Sequence, residues 1–279
     1  MLPSSEMGKE MTQLASGTDL NNLCLAVLID ADNVPRNCIK GVMEEIARYG
    51  TPTIKRIYGD WTNPNISGWK SSLLENAITP IQQYGYTTGK NSTDSAMIID
   101  AMDILYAGKT DGFVIVSSDS DFTRLAIRLR EAGKRVIGIG ERKTPNPFIV
   151  ACDKFIYIEV IRANQTEKEE KEEKEEPGEA PQKAPDKSSK RSSRSRARVP
   201  DAVVQLIADS VADLADEQEW VFMGELGNLL VKKQPDFDSR NFGYRSLSAL
   251  IKSIGRFEVD FRQTADPNIK HPYVRDREP

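Results

Sequence analysis

A chain of 279 residues, 39% hydrophobic and 29% charged, has the length and composition of one or two globular domains with an added polar segment. Its 38 basic and 42 acidic side chains leave a net charge of −4, which excludes a polybasic nucleic-acid binder, and no apolar run approaches the ~20 residues that span a bilayer. Three cysteines without a CxxC pair exclude a disulfide framework and a structural zinc site, and a single histidine, His271, leaves hydrolytic chemistry in the N-terminal part to carboxylates.

Residues 1–21 contain no apolar core or cleavage-like site and are expected to form a disordered tail rather than a secretory signal. With unpaired thiols, the expected location is the cytoplasm. From residue 22 to 161, short β-branched runs alternate with helical patterns. LCLAVLID (23–30) is a continuous apolar run, suited to a strand buried on both faces of a parallel sheet. CIKGVMEEIARYG (38–50) carries Ile39, Val42, Met43 and Ile46 at helical spacing. TIKRIYGDW (53–61) predicts a second strand, ISGWKSSLLENAI (66–78) a helix and PIQQY (80–84) a short strand. TDSAMIIDAMDILYAG (93–108) predicts a helix, GFVIVSS (112–118) a buried strand and DFTRLAIRLREAG (121–133) a helix. RVIGIG (135–140), a short helix near Pro147–Cys152 and the strand FIYIEV (155–160) complete the unit. The repeated strand–helix order implies a three-layer α/β sandwich with a mainly parallel sheet.

Residues 162–199 have no aromatics; a glutamate-rich run gives way to a basic, serine-rich one, KSSKRSSRSRAR. This composition buries too little apolar surface to fold, so a charged disordered linker is expected, its acidic half able to form a transient helix. From 200 to 279 a second domain is predicted. DAVVQLIADSVADLA reads as a helix, and WVFMGELGNLLVKK as a short strand turning into a helix. SRNFGYRSLSALIKSIG reads as a third helix, and RFEVDFR and HPYVRDR as two wing strands. Three helices followed by a hairpin form a winged-helix pattern.

Four aspartates stand out in the first domain. Asp30 ends an otherwise apolar strand, Asp119 and Asp121 follow GFVIVSS directly, and Asp94 opens the helix after the GKNST loop. In an open parallel sheet, ligands bind beyond the carboxyl ends of the strands, and these residues converge there if the first and fourth strands are neighbours. Clustered carboxylates repel unless cations neutralise them, and oxygen-only ligation selects Mg²⁺ or Mn²⁺. Asn33, Ser117 and Ser118 are placed to orient a water or a phosphate oxygen, and Lys90 to offset phosphate charge. Asp94 and Asp121 also stand where acidic residues stabilise helix starts, so each alone reads equally as a cap. Asp100, six residues beyond Asp94, points to another side of its helix.

LAVLIDADNV, YGDW, TGKNSTDSAMIIDAMDIL, DGFVIVSSDSDFTRLAIRLREAGKRVIGIG and CDKFIYIE together resemble the NYN family, the LabA-like branch of the PIN-like nucleases. The resemblance implies a PIN-like fold and metal-dependent ribonuclease activity. It places the family's acidic positions at Asp30, Asp94, Asp119 and Asp121, with Asn33 as polar partner, as both catalytic and (for the aspartates) metal-binding residues. MGELGNLLVKKQPDFDSRNFGYRSLSALIKSIGRFEVD is similar to the OST-HTH (LOTUS) winged helices, which implies RNA or a protein partner. That domain holds 10 basic and 14 acidic residues, so a positive face must be local; Arg240, Arg245, Lys252 and Arg256 are its candidates. The expected function is a metal-dependent endoribonuclease with RNA as partner, no membrane association and pairing into a homodimer left open. Two alternatives stand beside it. One is a catalytically weak RNA-binding adaptor. The other is a haloacid-dehalogenase-like phosphohydrolase using DADNV, against which Asn33-Val34-Pro35 departs from the required turn.

Overall fold

Strand β1 (Cys24–Asp30) is buried along almost its whole length, as a run without a polar side chain before Asp30 requires of a strand covered on both faces. The computed structural model that shows this describes residues 23–84, 92–175, 198–215, 219–263 and 270–278. Helix α1 (Ile39–Ile46) buries Ile39, Val42 and Ile46 and returns the chain to β2 (Thr51–Gly59), parallel to β1 with Asp30 opposite Tyr58. The helix expected over 66–78 is in fact a 3-10 turn (Pro64–Trp69) followed by α2 (Lys70–Asn76), which ends at Ala77 in the left-handed region. Gly68, in that turn, leaves room for Arg36. The Arg36 guanidinium occupies the place a side chain would take there and donates to the Gly68 carbonyl at 2.7 Å.

Strand β3 (Thr79–Gln82) runs parallel to β2. Helix α3 (Ser92–Ala107) follows and is pinned to β2 by Asp100, whose two carboxylate oxygens accept from Arg56 and from the buried Tyr58 hydroxyl. Strand β4 (Gly112–Val116) is wholly buried.

Beyond β4 the chain makes a 3-10 turn (Ser120–Phe122), α4 (Thr123–Glu131), β5 (Arg135–Gly140) and α5 (Asn146–Ala151). Strand β6 (Lys154–Tyr157) pairs in parallel with β5. The six strands form one helix-flanked parallel sheet in the order β3-β2-β1-β4-β5-β6, the α/β architecture expected from the strand–helix alternation. The order makes β1 and β4 neighbours.

The last strand is shorter than the expected 155–160. The chain turns helical at Ile158, and α6 (Ile158–Glu175) carries on past residue 161, where a linker was expected to begin. Ile158 and Ile161, three apart and both buried, mark a helical face, and the Glu/Lys run that follows is built of good helix formers with no break before Pro177. The expected tail (1–21) lies outside the described residues, as does 176–197 of the expected linker.

The C-terminal part folds as α7 (Asp201–Leu214), β7 (Val221–Phe222), α8 (Met223–Lys233), a 3-10 turn (Ser239–Phe242), α9 (Leu247–Ser253), β8 (Phe257–Gln263) and β9 (Lys270–Asp276). Its antiparallel sheet runs β7-β9-β8, and with the helices it makes the winged helix that the pattern predicts. Val203, Ile207, Val211, Leu226, Leu230, Phe237, Leu250, Ile251 and Val274 fill its core. The expected third helix is split. Gly243, at φ 81°, ends the 3-10 turn, and Ser246 restarts the chain as the cap of α9, its hydroxyl accepting from the Ala249 amide at 3.2 Å.

Candidate metal centre

At the carboxyl end of β1, Asp30 is 1% exposed, a position a carboxylate tolerates only when its oxygens are bonded. One oxygen accepts from the Asp32 amide at 3.1 Å and the other from the Asn33 side-chain amide at 2.7 Å. The DADN turn therefore folds back on its own first residue, and Asn33 acts here as the partner of Asp30. Asp32 faces both Asp30 and Asp60. The residue is exposed overall, but its carboxyl is partly withdrawn from water. That desolvation first, then the charges of Asp30 and Asp60, push it above the ordinary carboxylate range, while a hydrogen bond with the Thr93 side chain pulls it back.

Thr93 and Asp94 open α3, with Asp94 in the first turn. Asp119 follows β4 and caps the 3-10 turn, its Oδ1 accepting from the Asp121 amide at 2.9 Å. Its own amide donates to the Ser117 hydroxyl at 3.1 Å. Among the described residues, Asp94, Asp119 and Asp121 each offer one carboxylate oxygen, and these oxygens lie within 4.8 Å of one another. Three negative groups that close repel, and the donor set that relieves the repulsion is a hard, oxygen-seeking divalent cation. The residues fit such an ion, with no nitrogen or sulfur donor in the group. Asp94 and Asp119 are half-buried and Asp121 is exposed, so the group opens to solvent on one side.

Asp30, expected in the metal set, lies outside this group of three; its oxygens are taken up by Asp32 and Asn33. Ser117 and Ser118 are both buried, Ser117 accepting from the Asp119 amide and Ser118 from the Glu141 amide at 2.9 Å, bonds that shape the loop after β4. Lys90 lies outside the described residues. Asp60 was missed by reasoning from residues alone, yet it sits just past β2 by the logic that singled out Asp30 past β1. The YGDW stretch was its signal. One oxygen of Asp60 accepts from Thr62 and from Gln82, at 2.9 Å in the latter case.

In the C-terminal part, Arg240 is not a free cation. It makes a forked ion pair with Asp238, both side chains 14% exposed, and Arg256 is likewise bound to Asp276. Arg245 and Lys252 are exposed, the Lys252 ammonium standing 4.4 Å over the Phe261 ring.

Residues 24–159 match the NYN domain family, and residues 196–269 match the OST-HTH/LOTUS domain. Among solved structures, a protein of unknown function from Vibrio parahaemolyticus is 20% identical, covering 51% of this chain and 96% of its own, with a TM-score of 0.43. An uncharacterized protein from Nitrosomonas europaea is 27% identical, covering 37% of this chain and 94% of its own, with a TM-score of 0.28. No curated protein matches the chain. No helix among the described residues is long and apolar enough to cross a membrane. An NYN domain implies the nuclease superfamily and an OST-HTH domain implies RNA binding. The chain is thus built from an NYN domain at 24–159 and an OST-HTH/LOTUS domain at 196–269.

Proposed function

We propose that the NYN domain is an endoribonuclease that hydrolyses RNA phosphodiesters with Mg²⁺ or Mn²⁺, and that the OST-HTH domain brings it to RNA or to a protein partner. The observation that carries this reading is the meeting of Asp94, Asp119 and Asp121, 25 and 27 residues apart in sequence, within 4.8 Å. These three carboxylates would hold the ion, which when bound supplies Lewis-acid chemistry at a phosphodiester oxygen. Everything else falls to the chain itself. The Asp121 amide donates to the Asp119 carboxylate and the Asp119 amide donates to the Ser117 hydroxyl, so both the side chain and the backbone of this residue are held before any ligand arrives. Asp121 is the exposed member of the three, which leaves the group open to a substrate from that side.

The test is incubation of single-stranded and structured RNAs with the full chain, in Mn²⁺ or in EDTA, beside Asp119→Asn. Cleavage is expected only with metal and only in the wild type, the substitution costing at least about 100-fold. Cutting that survives EDTA would refute the proposal. Should the protein bind RNA but neither Mn²⁺ nor cut, it is an adaptor built on a nuclease fold.

A further inference from the structure

An open sheet leaves its outermost strands with a row of backbone groups that need partners, and proteins commonly cover such edges. In this sheet β6 is one of the two outer strands. On it, the Phe155 amide donates to the Pro235 carbonyl at 2.8 Å, and the Tyr157 hydroxyl donates to the Asp236 carboxylate at 2.8 Å. Pro235 and Asp236 belong to the loop joining α8 to the following 3-10 turn of the OST-HTH domain. Strand β6 and that domain lie within the same compact unit of the chain.

Both sides of this contact are held rigid from within. On the loop, Phe237 is 5% exposed in the winged-helix core, and the Asn241 side chain donates to the Asp236 carbonyl at 2.8 Å. Asp238 caps the 3-10 turn. Its burial would raise the carboxyl, but the Arg240 side chain and amide, and the charge of Lys154 on β6, hold it below the ordinary range. On the strand, the Tyr157 ring meets Phe155 edge-on with centroids 5.4 Å apart, and the Arg142 guanidinium stands over its other face at 5.4 Å. Burial, and then the bond to Asp236, raise the Tyr157 phenol, so it stays a proton donor across the physiological range. Hydrogen bonds and a lysine–aspartate attraction therefore join two surfaces that are each already ordered, and little conformational entropy is lost when they meet.

We infer that β6 is an intramolecular docking edge whose occupant is the Pro235–Asp238 loop, so that the OST-HTH domain is seated on the NYN sheet instead of trailing on the charged segment before it. Docking closes this edge to strand addition by a second copy. It also gives the RNA-binding module a single position.

Hydrogen–deuterium exchange and small-angle scattering on the full chain test this, with Asp236→Arg and Tyr157→Phe attacking the contact from opposite sides. Neither side chain fills a core, and the two need not fail together. In the wild type the 154–157 peptide is expected to exchange as slowly as β5. In Asp236→Arg its exchange rises about tenfold, the loss of one partnered amide, while β5 is unchanged and the radius of gyration increases. Tyr157→Phe is expected to shift both readouts in the same direction by less. Fast exchange at 154–157 in the wild type, or two variants that match it in both readouts, would overturn the inference.

Discussion

Asn33 and Asp30 are three residues apart, and their 2.7 Å hydrogen bond closes the turn at the end of β1. Because Asp30 is buried, removing its donor leaves a carboxylate oxygen without compensation. Asn33→Ala is expected to cost about 1–3 kcal/mol in urea titration, and Asp30→Asn in the same background to recover part of it. If Asn33→Ala leaves the denaturation midpoint unmoved, the turn does not depend on this bond. Asp94→Asn separates the two roles that sequence left open for that residue. A cap loses a few tenths of a kcal/mol and leaves metal affinity alone, whereas a ligand lowers Mn²⁺ affinity at least about tenfold, which calorimetric titration reads directly. Asp30, Asp94, Asp119 and Asp121 were legible because each stands at a strand end or helix start in an otherwise apolar or ordinary context. That Asp30 sits outside the group of three was not, since its bonds to Asp32 and Asn33 depend on how the turn curls.

At the scale of elements, glycines separate packing from backbone conformation. A Cβ at Gly140 would lie 2.6 Å from the Ser117 carbonyl and 2.7 Å from the Thr144 hydroxyl, so Gly140→Ala should destabilise by about 2 kcal/mol through overpacking next to the Asp119 loop. Gly133, at φ 74° with nothing nearby, should cost only about 1 kcal/mol as alanine, from backbone strain alone. Equal melting shifts for the two would show that the β5 end is not tightly packed. The Asp238–Arg240 pair makes a prediction about acid. Its carboxyl is held below its unfolded value, so its stabilisation is complete above the unfolded value, near 3.8, and is lost as pH falls through the lowered folded one. Asp238→Asn should therefore flatten the acid limb of the winged helix's stability curve while weakening it at neutral pH, which near-UV circular dichroism can follow. The split third helix was not readable in advance: apolar spacing continues across Gly243, and only its positive φ shows that the chain stops and restarts there.

For the whole molecule, an ion held by the clustered carboxylates would make folding and metal binding one equilibrium. An ion held only by the folded state at a hundredfold excess over its Kd stabilises by about 2.7 kcal/mol, so millimolar Mn²⁺ should raise the melting temperature of the wild type and leave Asp119→Asn unmoved. RNA affinity should fall only gently with salt. The chain carries net charge −4, and its winged helix exposes chiefly Arg245 and Lys252 among the candidate basic residues. Replacing both with alanine should reduce the slope of log affinity against log salt by about 1.4. The sequence by itself determined the strand–helix alternation, the winged-helix pattern and the carboxylate-only donor set of the candidate site, because periodicity, caps and residue type are local properties. The tertiary structure decided that β1 lies beside β4, which carboxylates share a site, which arginines are neutralised and where β6 finds its partner. These are pairings between distant segments, and their outcome depends on packing and on water withdrawn from particular groups, which no local pattern records.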